Sequence, residues 1–437
     1  MLALLCSVYA QSVLHDNGPL ITHAGEGFEG ADVSAMQSAL GLNAYGFGAQ
    51  KTDTVDNRLA DDFEVTAPHG WQLDTVELYS YQSDANLTSQ IAEVNFRIWD
   101  GQPGDPESTV VYGDVTTNSL LSSDFSGYFR VSDTALTDNL RPLMLNTVDL
   151  SQVYLPAGNY WLDVQFVGSP SASGPWVPPV TILGETITGD ALQITSTTPS
   201  WNPAFDGGAN AAQGIPFVLH GSEANLRLAG QALAVTEASS GDLGVPVLAF
   251  AASTLVAPGV GLNALDVQVV GADGATPIET NPVAGVKLYL DADLDGVPDA
   301  PDSPLALAVV ADDGGATLDL TGVTIDAGTP VGFVVTYDLK GSLDSVALPV
   351  TVATLALLLP GLWLVRRRRA MPLVALGLLV ALVGACSAPA PQPDPTVIEF
   401  RALVTGATAE VASGQFLGQE IGVDATGMLG ATITVTY

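Results

Sequence analysis

The chain has 437 residues, 47% of them hydrophobic and only 14% charged, with 45 glycines and 28 prolines. That balance excludes an intrinsically disordered polypeptide, favours many turns between short strands, and at ~100–200 residues per domain allows two or three domains. Forty-seven acidic against 13 basic residues give a formal net charge of −34; such a surface repels nucleic acid, which is excluded as a partner, and concentrates divalent cations.

In chain order, residues 1–10 read Met-Leu-Ala-Leu-Leu-Cys-Ser-Val-Tyr-Ala. This is a short apolar run ending in small residues at Val8 and Ala10, the pattern a signal peptidase reads. The basic region that normally precedes such a run is missing, so the expectation is a signal peptide whose start is called late or truncated, with a buried first strand as the alternative. Cleavage after Ala10 removes Cys6 and leaves Cys386 as the single cysteine, with no intramolecular disulfide.

Residues 11–222 carry five of the six tryptophans. Val76-Glu-Leu-Tyr-Ser-Tyr, Val94-Asn-Phe-Arg-Ile-Trp and Tyr160-Trp-Leu-Asp-Val-Gln-Phe alternate with period two, as strands buried on one face do. Turn signals such as Asp100-Gly-Gln-Pro-Gly separate them. A jelly-roll-like β-sandwich is expected. Leu155-Pro-Ala-Gly-Asn-Tyr-Trp-Leu resembles the turn-then-strand signature of secreted bacterial β-sandwich modules. Arg58-Leu-Ala-Asp-Asp-Phe-Glu-Val, Arg97-Ile-Trp-Asp-Gly-Gln-Pro-Gly-Asp-Pro, Gly174-Pro-Trp-Val-Pro-Pro-Val and Trp201-Asn-Pro-Ala-Phe-Asp look like recurring motifs of an N-terminal module in large secreted proteins of environmental bacteria. The resemblance implies an extracytoplasmic compartment and a sandwich, and implies no reaction.

Residues 223–343 are poorer in aromatics. Val286-Lys-Leu-Tyr-Leu and Ala316-Thr-Leu-Asp-Leu alternate, Asp312-Asp-Gly-Gly marks a hairpin turn, and Val331-Gly-Phe-Val-Val-Thr-Tyr reads as a closing strand. A smaller immunoglobulin-like sandwich is expected, resembling modules that precede C-terminal anchors on bacterial surface proteins. Within it, Asp291-Ala-Asp293-Leu-Asp295-Gly296-Val297-Pro-Asp299-Ala-Pro-Asp302 places oxygen ligands at positions one, three, five, nine and twelve, a glycine at six and a carbonyl at seven, the pattern of an EF-hand loop. It looks like a calcium loop of the dockerin or thrombospondin-repeat sort. Pro298 and Pro301 argue against a following helix. Asp291, Asp293, Asp295, the Val297 carbonyl, Asp299 and Asp302 are the expected Ca2+ ligands, and the alternative is a solvated Asp-rich turn.

Residues 346–365 are uncharged and long enough to cross ~30 Å of hydrocarbon as a helix. Arg366–Arg369 follow, then a second uncharged run that reaches Cys386 within 370–386. The positive-inside rule keeps the arginines cytoplasmic and puts both flanks outside. Val383-Gly-Ala-Cys386 matches a lipobox, making Cys386 a lipidation candidate. Three readings compete: both helices are retained as an anchor; Val346–Arg369, which resembles a surface-protein sorting signal, is removed by a processing enzyme; or Met371 begins a separate lipoprotein. Residues 387–437 are read as a proline linker and a short β tail near the size below which a domain rarely folds alone.

Other constellations are weaker. Asp61-Asp62-Phe63-Glu64 offers carboxylates for hydrolysis or a second cation, but adjacent strand positions point to opposite faces. Trp71, Trp99, Trp176 and Trp201, if exposed, suit stacking on sugars. The four histidines show no metal-ligand spacing, and no nucleophile elbow or phosphate-binding glycine loop is present. The expectation is therefore an all-β, non-enzymatic surface protein anchored in a bacterial membrane, acting as a binding or adhesion module toward extracellular polysaccharide or protein. The alternative is a carbohydrate-active enzyme or carbohydrate-binding module in the first sandwich.

Overall fold

In the computed structural model the described residues are 12–231, 233, 236–293, 295–343 and 396–437. They are nearly all β, arranged in several sheets, with two single-turn helices at Phe28–Gly30 and Ser38–Leu40. Among the described residues no helix is long and apolar enough to cross a membrane. The expected signal at 1–10, the apolar runs at 346–365 and 370–386, the arginine loop at 366–369 and Cys386 all lie outside the described residues.

The first sandwich faces a nine-stranded sheet against a six-stranded one. The larger is built around Trp71–Ser83, flanked by Phe217–Glu223 and Pro142–Asp149. In the smaller, Gly158–Val167 is central, paired with Arg58–Val65 on one side and Glu93–Trp99 on the other. Leu59, Phe63, Leu162, Val164, Phe96 and Phe217 fill the space between the sheets and are almost fully buried. Each such side chain contributes roughly 1.5–3 kcal/mol by leaving water.

Beyond the exposed Asn159, the outward-alternating residues of Gly158–Val167 do not face water. Trp161, Asp163 and Gln165 are buried on the outer side of the sheet, so this strand is covered on both faces. Asp163 has no exposed surface; it pairs with Arg58 Nε at 2.6 Å and with Arg97 Nη2 at 2.6 Å, and it accepts from Trp99 Nε1 at 3.1 Å. Arg58 also donates to Gln165 Oε1 at 3.0 Å, and Lys51 Nζ donates to the buried Asn95 at 2.7 Å. These charges are tolerated inside because each has a partner of opposite sign or a hydrogen bond.

The second sandwich begins without a linker. Ser222 and Glu223 still belong to the strand Phe217–Glu223, which pairs with Trp71, and the next strand starts at Asn225. Ala224 between them is buried, and its amide donates to Gly70 O at 2.9 Å. Gln72 reaches across the junction to accept from the Ala257 amide at 2.8 Å. The turn at Asp312–Gly315 carries a left-handed Gly314 with φ 86°, but it does not make a hairpin. Gly315–Ile325 pairs with Val260–Gly271 instead, so the turn passes the chain between sheet edges.

Residues 396–437 correct the expected domain plan. They form no separate tail: Val397–Val411 pairs along the whole of Val260–Gly271, from Val260 opposite Val411 to Gly271 opposite Phe400. Ile433–Thr436 lies parallel to Thr236–Ser239, and Glu420–Asp424 lies parallel to Asn225–Gln231 while also pairing with Val397–Val411. The result is a continuous eleven-stranded sheet wrapped around one core. The second domain is thus 225–343 together with 396–437.

Asp163→Ala leaves two largely buried guanidinium groups without a counter-charge. The expected loss is ~3–5 kcal/mol of stability in the first sandwich, read as a lowered urea midpoint by tryptophan fluorescence; a change below 1 kcal/mol contradicts the role given to this carboxylate.

Candidate functional site

The strand Val283–Leu290 runs directly into the Asp-rich loop. Asp291, Asp293 and Asp295 each bring a carboxylate oxygen within 4.8 Å of the others. Asp291 is fully buried, and its oxygens accept the amides of Asp295 at 3.1 Å and Gly296 at 2.9 Å. Gly296 takes φ 83°, so the backbone conformation there favours glycine; a Cβ would also displace the Leu233 side chain, whose Cδ2 lies 2.4 Å from where it would stand. Asp299 stands outside the three-acid group and closes the loop by accepting from the Ala292 amide at 2.8 Å. Asp302 also stands outside it, and Val297 is exposed. Turns follow the loop, not a helix.

This donor set is all oxygen and suits a hard cation. Burial raises the Asp291 carboxyl above its ordinary pKa, and the charges of Asp295 and Asp293 push it the same way. A divalent cation seated among the three would offset the repulsion and compensate the buried charge. For a site of Kd ~10⁻³ M, tenfold excess Ca2+ adds about 1.4 kcal/mol. The expected outcome is a rise in melting temperature with 10 mM-range Ca2+ that is lost in Asp293→Asn, a change at an exposed position; an unchanged melt with excess Ca2+ retires the site.

A second acidic group lies in the first sandwich. Asp61 is buried and Asp62 exposed, in accord with opposite faces of the strand Arg58–Val65. Their carboxylates nevertheless meet, with Asp190, within 4.8 Å of one another, because the partner strand Leu192–Thr195 pairs only as far as Ala60 and leaves this stretch of strand edge open. Asp61 Oδ2 accepts from Asn17 Nδ2 at 2.7 Å and the Ile215 amide at 2.8 Å, and Oδ1 from the Asp62 amide at 3.1 Å. Burial outweighs these bonds and pushes Asp61 up to about 7; burial also raises Asp62, with the charge of Asp190 adding to it. His15 sits on the same side, stacked on Phe217 with ring centroids 5.3 Å apart, and burial lowers its pKa. Asp190, Asn17 and His15 were not legible as neighbours of Asp61, since all three lie in segments remote from it in the chain and none carries a local motif.

The folded protein holds a proton on Asp61 up to about pH 7, whereas an unfolded aspartate releases it near pH 4. Its contribution is full below pH 4 and is lost as pH rises toward 7. Unfolding free energy of wild type should fall across pH 4–7 more steeply than that of Asp61→Asn in denaturant titrations at stepped pH; equal slopes contradict this.

The four tryptophans considered for sugar stacking do not form one platform. Trp71 is buried in the core. Trp99 and Trp201 are half-buried and pack with Trp161 on the outer face of the six-stranded sheet, Trp99 beneath the Arg97 guanidinium at 4.7 Å. Trp176 belongs to a separate cluster with Leu20, Tyr81 and Leu143. A cleft of about 240 Å³ opens where the sandwiches meet, walled by Tyr112 and Tyr154 from the first and by Pro258 and Phe416 from the second.

No family model matches the chain, and no curated protein matches it. Among solved structures, the group B streptococcus pilus 2b backbone protein is 9% identical, over 64% of this chain and 79% of that one, with a TM-score of 0.15. Likeness at that level carries no argument about fold or function.

Proposed function

We propose that the protein is an extracytoplasmic binding or adhesion module held at a bacterial membrane, non-catalytic, with Ca2+ stiffening its second sandwich. The observation that carries the reading is the pairing of Val397–Val411 with Val260–Gly271. The chain leaves the sandwich at 343 and re-enters it at 396, so both flanks of the intervening sequence lie on one side of any membrane. Two uncharged runs separated by four arginines meet that requirement as a pair of crossings with the arginines inside. The sandwich body then stands outside, where its acidic surface stays soluble and meets cations. In this reading the first sandwich is jelly-roll-like and the second immunoglobulin-like. Extracellular polysaccharide or protein is the ligand class, with the cleft between the sandwiches as the concave surface that fits one.

The alternative, a polysaccharide-cleaving enzyme, draws support from Asp61, Asp62 and Asp190, since raised carboxyl pKa values accompany general acids. Against it, Asp61 is buried and already accepts three hydrogen bonds, so it has little freedom to serve a substrate. Turnover of a polysaccharide substrate that disappears in Asp62→Asn would establish the enzyme reading.

Topology is tested with single cysteines in a chain carrying Cys6→Ser and Cys386→Ser. A membrane-impermeant maleimide on spheroplasts should label Ser342→Cys and Ser413→Cys, both at exposed positions, and should label Arg367→Cys only after lysis. Labelling of Arg367→Cys in intact spheroplasts, or of one flank alone, rejects the anchored hairpin.

A further inference from the structure

The second sandwich depends on residues that arrive last and from a distance. Without Val397–Val411, the twelve-residue strand Val260–Gly271 has no partner on that edge, and Leu265, Val267 and Val269, all nearly fully buried, lose part of their cover. Open edges of this length invite pairing with other chains. The contribution is more than one strand. Phe400 is fully buried and stacks on Tyr337 with centroids 6.2 Å apart. Ile433, Val435 and Met428 enter the same core. The Ala431 amide donates to Val247 O at 2.9 Å, and Gly430 lies so close that a Cβ would fall 2.2 Å from the same carbonyl. At the far end Tyr437 Oη donates to Pro282 O at 3.2 Å. Contacts reach the first sandwich as well: Phe416 meets Tyr154 edge-on at 5.9 Å, and a Cβ on Gly422 would strike His69 at 2.8 Å.

We infer that Thr396–Tyr437 is a built-in donor segment: main-chain pairing and core side chains bind it to the acceptor surface formed by 225–343, and it stays bound when the chain is cut within 344–395. The mode is strand addition, in which main-chain hydrogen bonds supply affinity and alternate side chains in fitted pockets supply specificity. Covalent connection raises the segment's effective concentration, while the interface is that of a domain interior and not of a linker docked on a surface. A processing cut before Val346, or one ahead of Cys386, therefore yields a two-chain module in place of a released ectodomain. A lipid on Cys386 would then still tether both sandwiches through strand pairing. The inference holds whether or not the intervening sequence enters a membrane, and its test does not depend on that reading.

The test uses the full chain in mild detergent with a site-specific protease sequence inserted between Pro391 and Gln392, and a second version with the site between Ser387 and Ala388 should the first insertion lower the melting temperature of the uncut protein. After complete cleavage, verified on a denaturing gel, the C-terminal fragment should co-elute with the larger fragment in size-exclusion chromatography and separate only in denaturant. Phe400→Ala should speed its exchange for added labelled fragment at least tenfold. Separate elution of the fragment in buffer, whatever the state of the larger piece, overturns the inference, as does exchange unaffected by Phe400→Ala.

Discussion

The antiparallel ladder between Val260–Gly271 and Val397–Val411 is the constraint on which the second half of the molecule rests. Both strands are long, and both send alternate side chains into the same core. Main-chain donors and acceptors buried along such a ladder are costly to leave unpaired, and apolar side chains such as Phe400, Leu265 and Val267 are costly to expose. These two terms act on the same residues, so the ladder cannot open locally without loosening the core. It also brings residues 343 and 396, far apart in the chain, back to one body.

The first sandwich solves a different problem, that of covering a sheet on both sides with a sequence that alternates. Its inner face is aromatic and aliphatic in the usual way. Its outer face is closed by Asp163 held between Arg58 and Arg97, with Trp99 and Trp161 beside them. In a chain so short of basic residues, two of the 13 are committed to one buried carboxylate. A third, Arg130, is buried with its donors on Tyr45 O, Ala44 O, Ser34 and Thr181. Both Arg58 and Arg130 are buried together with Asp61, Asp163 and Asp206, so the interior of this sandwich holds hydrogen-bonded groups of both signs, which favours a uniquely specified arrangement inside.

The two acidic groups respond to the same field in opposite contexts. Asp291 is drawn under its loop by the amides of Asp295 and Gly296, which orients the neighbouring carboxylates toward one point. Asp61 is fixed by Asn17 and Ile215 and turned inward, and its companions Asp62 and Asp190 come from the exposed side of an open strand edge. The first arrangement gathers carboxylate oxygens at one point; the second buries one and tunes its proton.

Composition, period-two alternation and the Asp/Gly spacing were enough to determine the nearly all-β character of the described residues, the strands around Val76, Val94 and Tyr160, and the left-handed turn at Gly296, because each of these depends on neighbours a few residues apart. The opposite faces of Asp61 and Asp62 were legible for the same reason. Alternation reports which side of a strand a residue occupies and not what lies over that side, so the burial of Asp163 and Gln165 was beyond it. Likewise Asp190 beside Asp61, and the split of Trp99 and Trp201 from Trp176, depend on which strands become neighbours. The largest departure has the same origin. Residues 396–437 carry ordinary strand patterns and too little chain for a core of their own; only tertiary structure decides that they complete a sandwich begun at Asn225, because strand pairing selects partners by edge and core complementarity and not by distance along the chain.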